Sequence, residues 1–210
     1  MKNHDILLRA ATPEDAEAMR GIYAPYVENT AVSFEYAVPS PGEFRGRVER
    51  TLEKYPWIAA LEDGEIVGYA YAGAFHPRPA YGWNAESTVY IREDRRRSGL
   101  GRRLYGALEA LCAEQHILTI DACIALPRGD DPWLTGDSAA FHARMGYRRV
   151  GEFPCCGYKF GRWYDMVWME KELLAHTAAP APVIPFPELS REALERAGND
   201  VARALDLLEG

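Results

Sequence analysis

From Val89 to Leu104 the chain reads Val89-Tyr90-Ile91-Arg92-Glu93-Asp94-Arg95-Arg96-Arg97-Ser98-Gly99-Leu100-Gly101-Arg102-Arg103-Leu104. A strand pattern ends, a basic loop with glycines follows, and a helix pattern begins. Glycines at 99 and 101 let a ligand approach the backbone closely. The free amides of a helix N-terminus, together with its dipole, favour an anion. Five arginines between positions 95 and 103 add positive charge. Together these features suit a pyrophosphate. A solvated basic turn is the plain alternative, and a lone Gly-x-Gly would not displace it; strand, arginine run and helix together do. No Gly-Lys-Ser/Thr follows, so the loop is not a P-loop. The third glycine of the dinucleotide fingerprint is missing too.

Other chemistry is sparse. Cys112, Cys123, Cys155 and Cys156 match no zinc spacing, and an adjacent cysteine pair is no disulfide framework, so no metal is expected. His4, His76, His116 and His176 have no partner signal and read as surface residues. The chain has 210 residues with 48% hydrophobic and 26% charged, enough apolar side chain for a buried core. Its net charge of −7 argues against a nucleic-acid partner. No apolar run is long enough to span a membrane, and the N-terminal residues show no secretory h-region, so a reduced, cytoplasmic chain is expected.

The elements that must position the loop follow from periodicity. Ile6–Arg9 is a short strand. Thr12-Pro13-Glu14-Asp15 is a helix start, with Ala16, Met19, Ile22, Tyr23 and Tyr26 at helical spacing. Ser40-Pro41-Gly42-Glu43 repeats that signal before a stripe of Phe44, Val48, Leu52 and Tyr55. Trp57–Leu61 and Ile66–Phe75 are strands joined at Asp63-Gly64, a hairpin turn. Then come a strand at Ser87–Ile91, a helix at Leu100–Gln115, a strand at Leu118–Leu126 and a helix at Ser138–Met145 capped by Gly146. Tyr147–Phe153 and Tyr158–Glu170 are the final strands. The order predicts an α/β fold: a mixed, mostly antiparallel sheet with helices on both faces. Four prolines between 178 and 187 break the pattern. The expected division is a core over 1–175, a proline-rich linker over 176–189 and a helical tail over 190–210.

Arg96-x-x-Gly99-x-Gly101 on a strand-to-helix turn resembles the acetyl-CoA loop of the GCN5-related N-acetyltransferases (GNAT), and the element order from 5 to about 172 is similar to that fold. Three further segments resemble the phosphinothricin and methionine sulfoximine N-acetyltransferase subfamily. They are Arg78-Pro79-Ala80-Tyr81-Gly82-Trp83-Asn84-Ala85-Glu86-Ser87-Thr88-Val89-Tyr90, Phe141-His142-x-x-x-Gly146-Tyr147, and Gly157-Tyr158-Lys159-Phe160-Gly161-Arg162-Trp163-Tyr164-Asp165.

The resemblance implies direct attack of a primary amine on acetyl-CoA, the cosubstrate. Glu86 falls in the family's carboxylate position and would take the ammonium proton. Flanking Trp83 and Val89 suggest that it is partly enclosed, which would raise its pKa. A surface salt bridge is its plain alternative. His142 would donate a proton to the leaving thiolate or simply pack against CoA. Val89, Tyr90, Ile91, Arg96, Arg97, Ser98, Gly99, Leu100, Gly101, Arg102 and Ser138 are the implied acetyl-CoA contacts. Phe34, Arg78 and Tyr81, with Glu86, would line the acceptor pocket, Arg78 pairing with an acceptor carboxylate. Core packing is the alternative for Phe34. Trp163 and Asp165 read as structural. A homodimer is a family-level expectation.

Two stretches depart from the family. Thr135 replaces an Asn that usually contacts CoA, and the loop from Pro127 to Leu134 is long enough either to reshape the acceptor mouth or to be an inert insertion. The stretch from Leu194 to Leu208 resembles the last two helices of ubiquitin-associated-like modules; it would dock on its own domain or a dimer mate through Ile184 and Phe186, or bind a partner. Three classes stay open: an N-acetyltransferase for a small amino-acid-like amine, a protein or peptide N-acetyltransferase, and a non-enzymatic acyl-CoA-binding or interaction module.

Overall fold

The computed structural model describes residues 6–197. Strand β1 (Ile6–Ala10) leads through a 3-10 turn at Pro13–Asp15 into α1 (Ala16–Asn29). Helix α2 (Pro41–Leu52) follows, its first turn capped by the Ser40 hydroxyl, which accepts from the Glu43 amide at 3.2 Å. Then come β2 (Trp57–Glu62), β3 (Glu65–Ala74), β4 (Asn84–Ile91), α3 (Leu100–Glu114), β5 (Thr119–Leu126), α4 (Asp137–Arg144), β6 (Arg148–Lys159), β7 (Arg162–Glu172) and α5 (Arg191–Ala197). The strands form one sheet in the order β1-β2-β3-β4-β5-β7-β6. Every pairing is antiparallel except β4 with β5.

Alternation along the strands sorts the core into two layers. Ala70, Ala72, Ala85, Ile120, Ala122 and Ile124 face α3, where Leu104, Tyr105, Leu108 and Leu111 cover them. Trp57, Tyr69, Tyr71 and Tyr90 face α1 and α2, packing against Met19, Tyr23, Tyr26, Phe44 and Val48.

The two tight hairpins turn through positive φ. Asp63 and Gly64 (φ 52° and 86°) close β2–β3, and Phe160 and Gly161 (φ 50° and 74°) close β6–β7. The second turn corrects the expected boundary. Pro154 to Gly157 read as the break between two strands, but they form a bulge inside β6, opposite Asp165. Asp165 holds the bulge, its Oδ1 accepting from the Cys155 amide at 2.7 Å.

The proline-rich segment is extended, and it is docked on the domain. Val183, Ile184 and Phe186 pack on the α3-side core, and Leu189, Ala193 and Leu194 are buried there. The Gln115 amide donates to the Lys54 and Ile184 carbonyls at 2.7 and 2.9 Å. His116, expected as an unpartnered surface residue, is the left-handed residue (φ 67°) just past the α3 C-cap, and its Nδ1 meets the Pro182 carbonyl at 2.8 Å. Arg196 pairs with Glu114 at 2.7 Å. Most of the stretch resembling ubiquitin-associated-like modules, from 198 to 208, lies outside the described residues.

Candidate active site

The site begins where two strands part. β4 and β5 pair only from Asn84–Thr119 to Glu86–Asp121; beyond that, β4 continues to Ile91 beside β3, and β5 continues to Leu126 beside β7. The sheet therefore forks just past Glu86. The Ser87 hydroxyl donates to the Asp121 carbonyl across the fork at 3.0 Å. An edge of β4 with no strand beside it offers backbone groups to an extended ligand. At its far end the Tyr26 hydroxyl already donates to the Ile91 carbonyl at 2.6 Å, so Ile91 is the least available of the three expected β4 contacts.

The basic loop lies beyond the end of β4. Arg97 and Gly99 take positive φ (61° and 87°), and Gly99 is the α3 N-cap, so the first-turn amides of α3 have no intrahelical acceptor. Gly101 is buried, and a Cβ there would stand 3.2 Å from Ile91 and 3.4 Å from Phe141. Not all five arginines serve the loop. Arg95 turns back to Glu62 at 2.5 Å and Asp94 at 2.9 Å, and Arg103 donates to the Ile6 carbonyl at 2.8 Å. Arg96 lies over the Tyr26 ring at 4.7 Å, and Arg97 extends into solvent, 3.6 Å from Asp137. The positive charge at the loop is thus Arg96, Arg97 and Arg102. These groups, with the α3 amides and the unpaired β4 edge, fit an extended anionic ligand such as acetyl-CoA.

Glu86 and His142 stand on opposite faces of the sheet. Glu86 shares its face with Gly73, its partner on β3, and Asp121, its partner on β5. Burial raises its carboxyl pKa from the ordinary value. Val89 is not part of that enclosure: its side chain faces α3. Trp83 serves the tail, its indole donating to the Ala181 carbonyl at 2.8 Å. Asp121 is 3% exposed and lies between Glu86 and Glu170 of β7; burial and these two carboxylates push its pKa up to about 7. Its Oδ2 has no partner among the described residues.

His142, 4% exposed, projects from α4 under the other face. Its Nδ1 lies 2.8 Å from the Ser138 carbonyl and its Nε2 lies 2.8 Å from the Tyr105 hydroxyl. A carbonyl can only accept, so the imidazole proton sits on Nδ1 and Nε2 accepts from Tyr105. Burial lowers the His142 pKa, which keeps the ring neutral. The network continues through Ser87 Oγ, 3.3 Å from the Tyr105 hydroxyl and 3.4 Å from that of Tyr147.

The residues expected around the acceptor lie on loops bordering the Glu86 face. Arg78 precedes and Tyr81 ends a 3-10 turn at Pro79–Tyr81; Tyr81 is 39% exposed and its ring centroid lies 5.9 Å from that of Phe75. Arg78 has no ion pair among the described residues. Phe34 is exposed rather than in the core, and its ring lies over Gly157, where a Cβ would come within 2.3 Å. Lys159, buried at 3% exposure, fixes this loop by donating to the Val27, Thr30 and Ser33 carbonyls at 2.7, 3.0 and 2.7 Å. Ser138 offers its carbonyl to His142, and Thr135 precedes the Gly136 N-cap of α4, its hydroxyl accepting from the Asp137 amide at 3.4 Å.

The long loop before α4 is built in, not inert. Trp133 stacks on Phe160 at 4.4 Å, its carbonyl accepts from the Ala31 amide at 2.9 Å, and Asp131 meets Arg162 at 3.2 Å. Sequence reasoning passed over Tyr71, Tyr105, Ser87, Asp121 and Lys159 as participants. Only Asp121, a carboxylate inside an apolar strand run, carried a local signal.

The description of a GNAT acetyltransferase domain matches residues 8–168. Phosphinothricin N-acetyltransferase of Streptomyces viridochromogenes is 35% identical over 182 residues, 87% of this chain and 95% of that protein. The L-methionine sulfoximine/L-methionine sulfone acetyltransferase of Pseudomonas paraeruginosa is 31% identical over 177 residues, 82% of this chain and 98% of that one. Among solved structures, a GNAT phosphinothricin acetyltransferase from Sinorhizobium meliloti, in complex with acetyl-CoA, aligns with a TM-score of 0.77 at 31% identity, covering 88% of this chain and 98% of that chain. With the forked sheet, the basic glycine turn and these matches together, the chain belongs to the GNAT acetyltransferase family.

Proposed function

We propose that this chain transfers the acetyl group of acetyl-CoA to the primary amine of a small amino-acid-like acceptor, of the kind that its relatives' names give as phosphinothricin or methionine sulfoximine. The observation that carries this reading is the fork, which sets the half-buried Glu86 carboxylate beside an unpaired strand edge leading to the basic α3 turn. When bound, acetyl-CoA supplies the electrophilic thioester carbon. Glu86 holds the acceptor ammonium and removes its proton, directly or through water, so that the nitrogen lone pair can attack. The new C–N bond replaces the C–S bond, the sulfur leaves as CoA thiolate, and the surplus proton left on the attacking nitrogen passes to that thiolate. Arg78, Tyr81 and Phe34 orient the acceptor on the Glu86 side. Arg96, Arg97, Arg102, Ser98 and the amides from Gly99 to Gly101 hold the pyrophosphate, with Val89 and Tyr90 along the pantetheine and Ser138 near it. His142 is a positioning residue, a reading supported by its neutral ring and its two engaged nitrogens.

A peptide acceptor needs an open channel, whereas the bulky Phe34 and Tyr81 loops at the Glu86 face favour a small amine. We place the enzyme in the cytoplasm as a homodimer. The free cysteines support the first, and the exposed aromatics Phe153, Tyr158 and Trp163 on β6 and β7 support the second. No described helix is long and apolar enough to cross a membrane.

The test is acetyl-CoA turnover against amino acids, their sulfone, sulfoximine and phosphinic analogues, polyamines and peptides. Turnover of amino-acid analogues is expected. CoA binding without turnover of any small amine overturns the reading. Glu86→Gln should lower kcat/KM by about 10²–10⁴-fold and remove the acid limb of its pH profile; an unchanged profile removes Glu86 as base.

A further inference from the structure

Next to Glu86 the α1/α2 face of the sheet holds a cavity of about 340 Å³ that none of the residues expected around the acceptor lines. That is the size of a small ligand pocket. Its walls are aromatic: Phe44 of α2, Tyr55, Trp57 of β2, and Tyr69 and Tyr71 of β3. Its cations come from α2. Arg47 is already neutralised by Glu35 at 2.8 Å and Glu43 at 2.7 Å. Arg50 is different: it is exposed at the cavity and has no acidic partner among the described residues. Its guanidinium folds back over Gly46, where a Cβ would stand 3.0 Å from Nη1, so a glycine one helical turn earlier makes room for it.

Two observations join this cavity to Glu86. Gly73 lines it, is the cross-strand partner of Glu86, and has open space where its side chain would be. Tyr71, two residues before Gly73 on β3 and on the same face of the sheet, lines it as well. One continuous surface therefore runs from a carboxylate, across a bare glycine and an aromatic floor, to a guanidinium without an acidic partner among the described residues.

We propose that this groove is the side-chain subsite of the acceptor, and that Arg50 selects amino acids whose aromatic or apolar side chain ends in an oxyanion. The inference rests on Glu86 marking the amine end. With the ammonium at Glu86, the α-carboxylate is left for the Arg78 loop, and the side chain extends over Gly73 between the aromatic walls. An oxyanion at its tip completes the charge of Arg50, a guanidinium being suited to planar oxyanions.

The test uses the full chain and three acceptors: L-phenylalanine, 4-carboxy-L-phenylalanine and L-methionine sulfone, each with saturating acetyl-CoA. The expected result is a kcat/KM for the carboxylated phenylalanine about tenfold or more above that for phenylalanine, carried mainly by KM. Arg50→Gln should bring this ratio toward one, and Arg50→Lys should keep part of it. Gly46→Ala, which raises helix propensity while crowding the guanidinium, should lower the ratio without loss of stability. Equal kcat/KM for the two phenylalanines, or a preference that survives Arg50→Gln, overturns the subsite even if methionine sulfone is acetylated. Failure to acetylate any of the three, with acetyl-CoA still bound, overturns the acetyltransferase reading along with it.

Discussion

The Tyr105 hydroxyl lies 2.8 Å from His142 Nε2; because burial keeps the ring neutral and its one proton sits on Nδ1, bound to the Ser138 carbonyl, Nε2 is left to accept. A ring so engaged has no proton directed at a leaving group. His142→Phe should lower kcat by less than about tenfold and leave the alkaline limb of the pH profile in place, below the 10²–10⁴-fold typical of a general acid. It should also cost about 1 kcal/mol of stability, because the buried Tyr105 hydroxyl keeps only its longer contact to Ser87 Oγ at 3.3 Å. A larger kcat loss together with a vanished alkaline limb would return His142 to the role of proton donor. Urea unfolding and pH–rate profiles measure the two effects.

Asp121 makes a prediction about stability and pH. Its folded-state pKa, near 7, lies above its ordinary 3.8, so the native chain binds a proton that the unfolded chain releases. This group therefore destabilises the fold increasingly as pH rises from about 4 to about 7, and fully above that. Asp121→Asn cannot ionise. It should raise Tm at pH 8, and the difference should shrink as pH falls toward 4. A difference independent of pH would show that Asp121 is not the group titrating.

Lys159 and Gly157 test the loop under Phe34. Lys159→Met leaves the carbonyls of Val27, Thr30 and Ser33 without their donor, and should destabilise by about 2–4 kcal/mol. Gly157→Ala forces the Phe34 ring aside and should raise acceptor KM with kcat for the bound acceptor nearly kept. Acceptor kinetics unchanged in Gly157→Ala would detach Phe34 from acceptor binding.

Truncation after residue 177 removes Ile184, Phe186, Leu189 and Leu194 from the α3-side core and exposes the Gln115 amide. Tm should fall by several degrees. Because Trp83 loses its bond to Ala181 at the base of the Arg78 loop, acceptor KM should rise. A truncated chain with wild-type Tm and kinetics would make the docked segment dispensable.

Local signals carried the sequence reading a long way. Ser40-Pro41 and Gly146 marked helix ends because capping is decided within one turn, and the glycine-arginine turn before α3 was legible for the same reason. The fork was not, because strand pairing is non-local: nothing within Asn84–Ile91 says that β5 leaves after Glu86. The same limit misassigned Pro154–Gly157, whose composition says turn while pairing with β7 makes it a bulge. Glu86 was found, but its enclosure was ascribed to Val89, a residue on the opposite face. Charge counting overstated the loop, since only contacts across the fold reveal that Arg95 and Arg103 point elsewhere.

The fork also has a kinetic consequence. On the proposed assignment, acetyl-CoA reaches the fork along the α3 turn and the acceptor reaches it along the Glu86 face. Two substrates that arrive by separate doors can leave by separate doors. Neither product then has to wait for the other, and each should inhibit chiefly by competing for its own entrance.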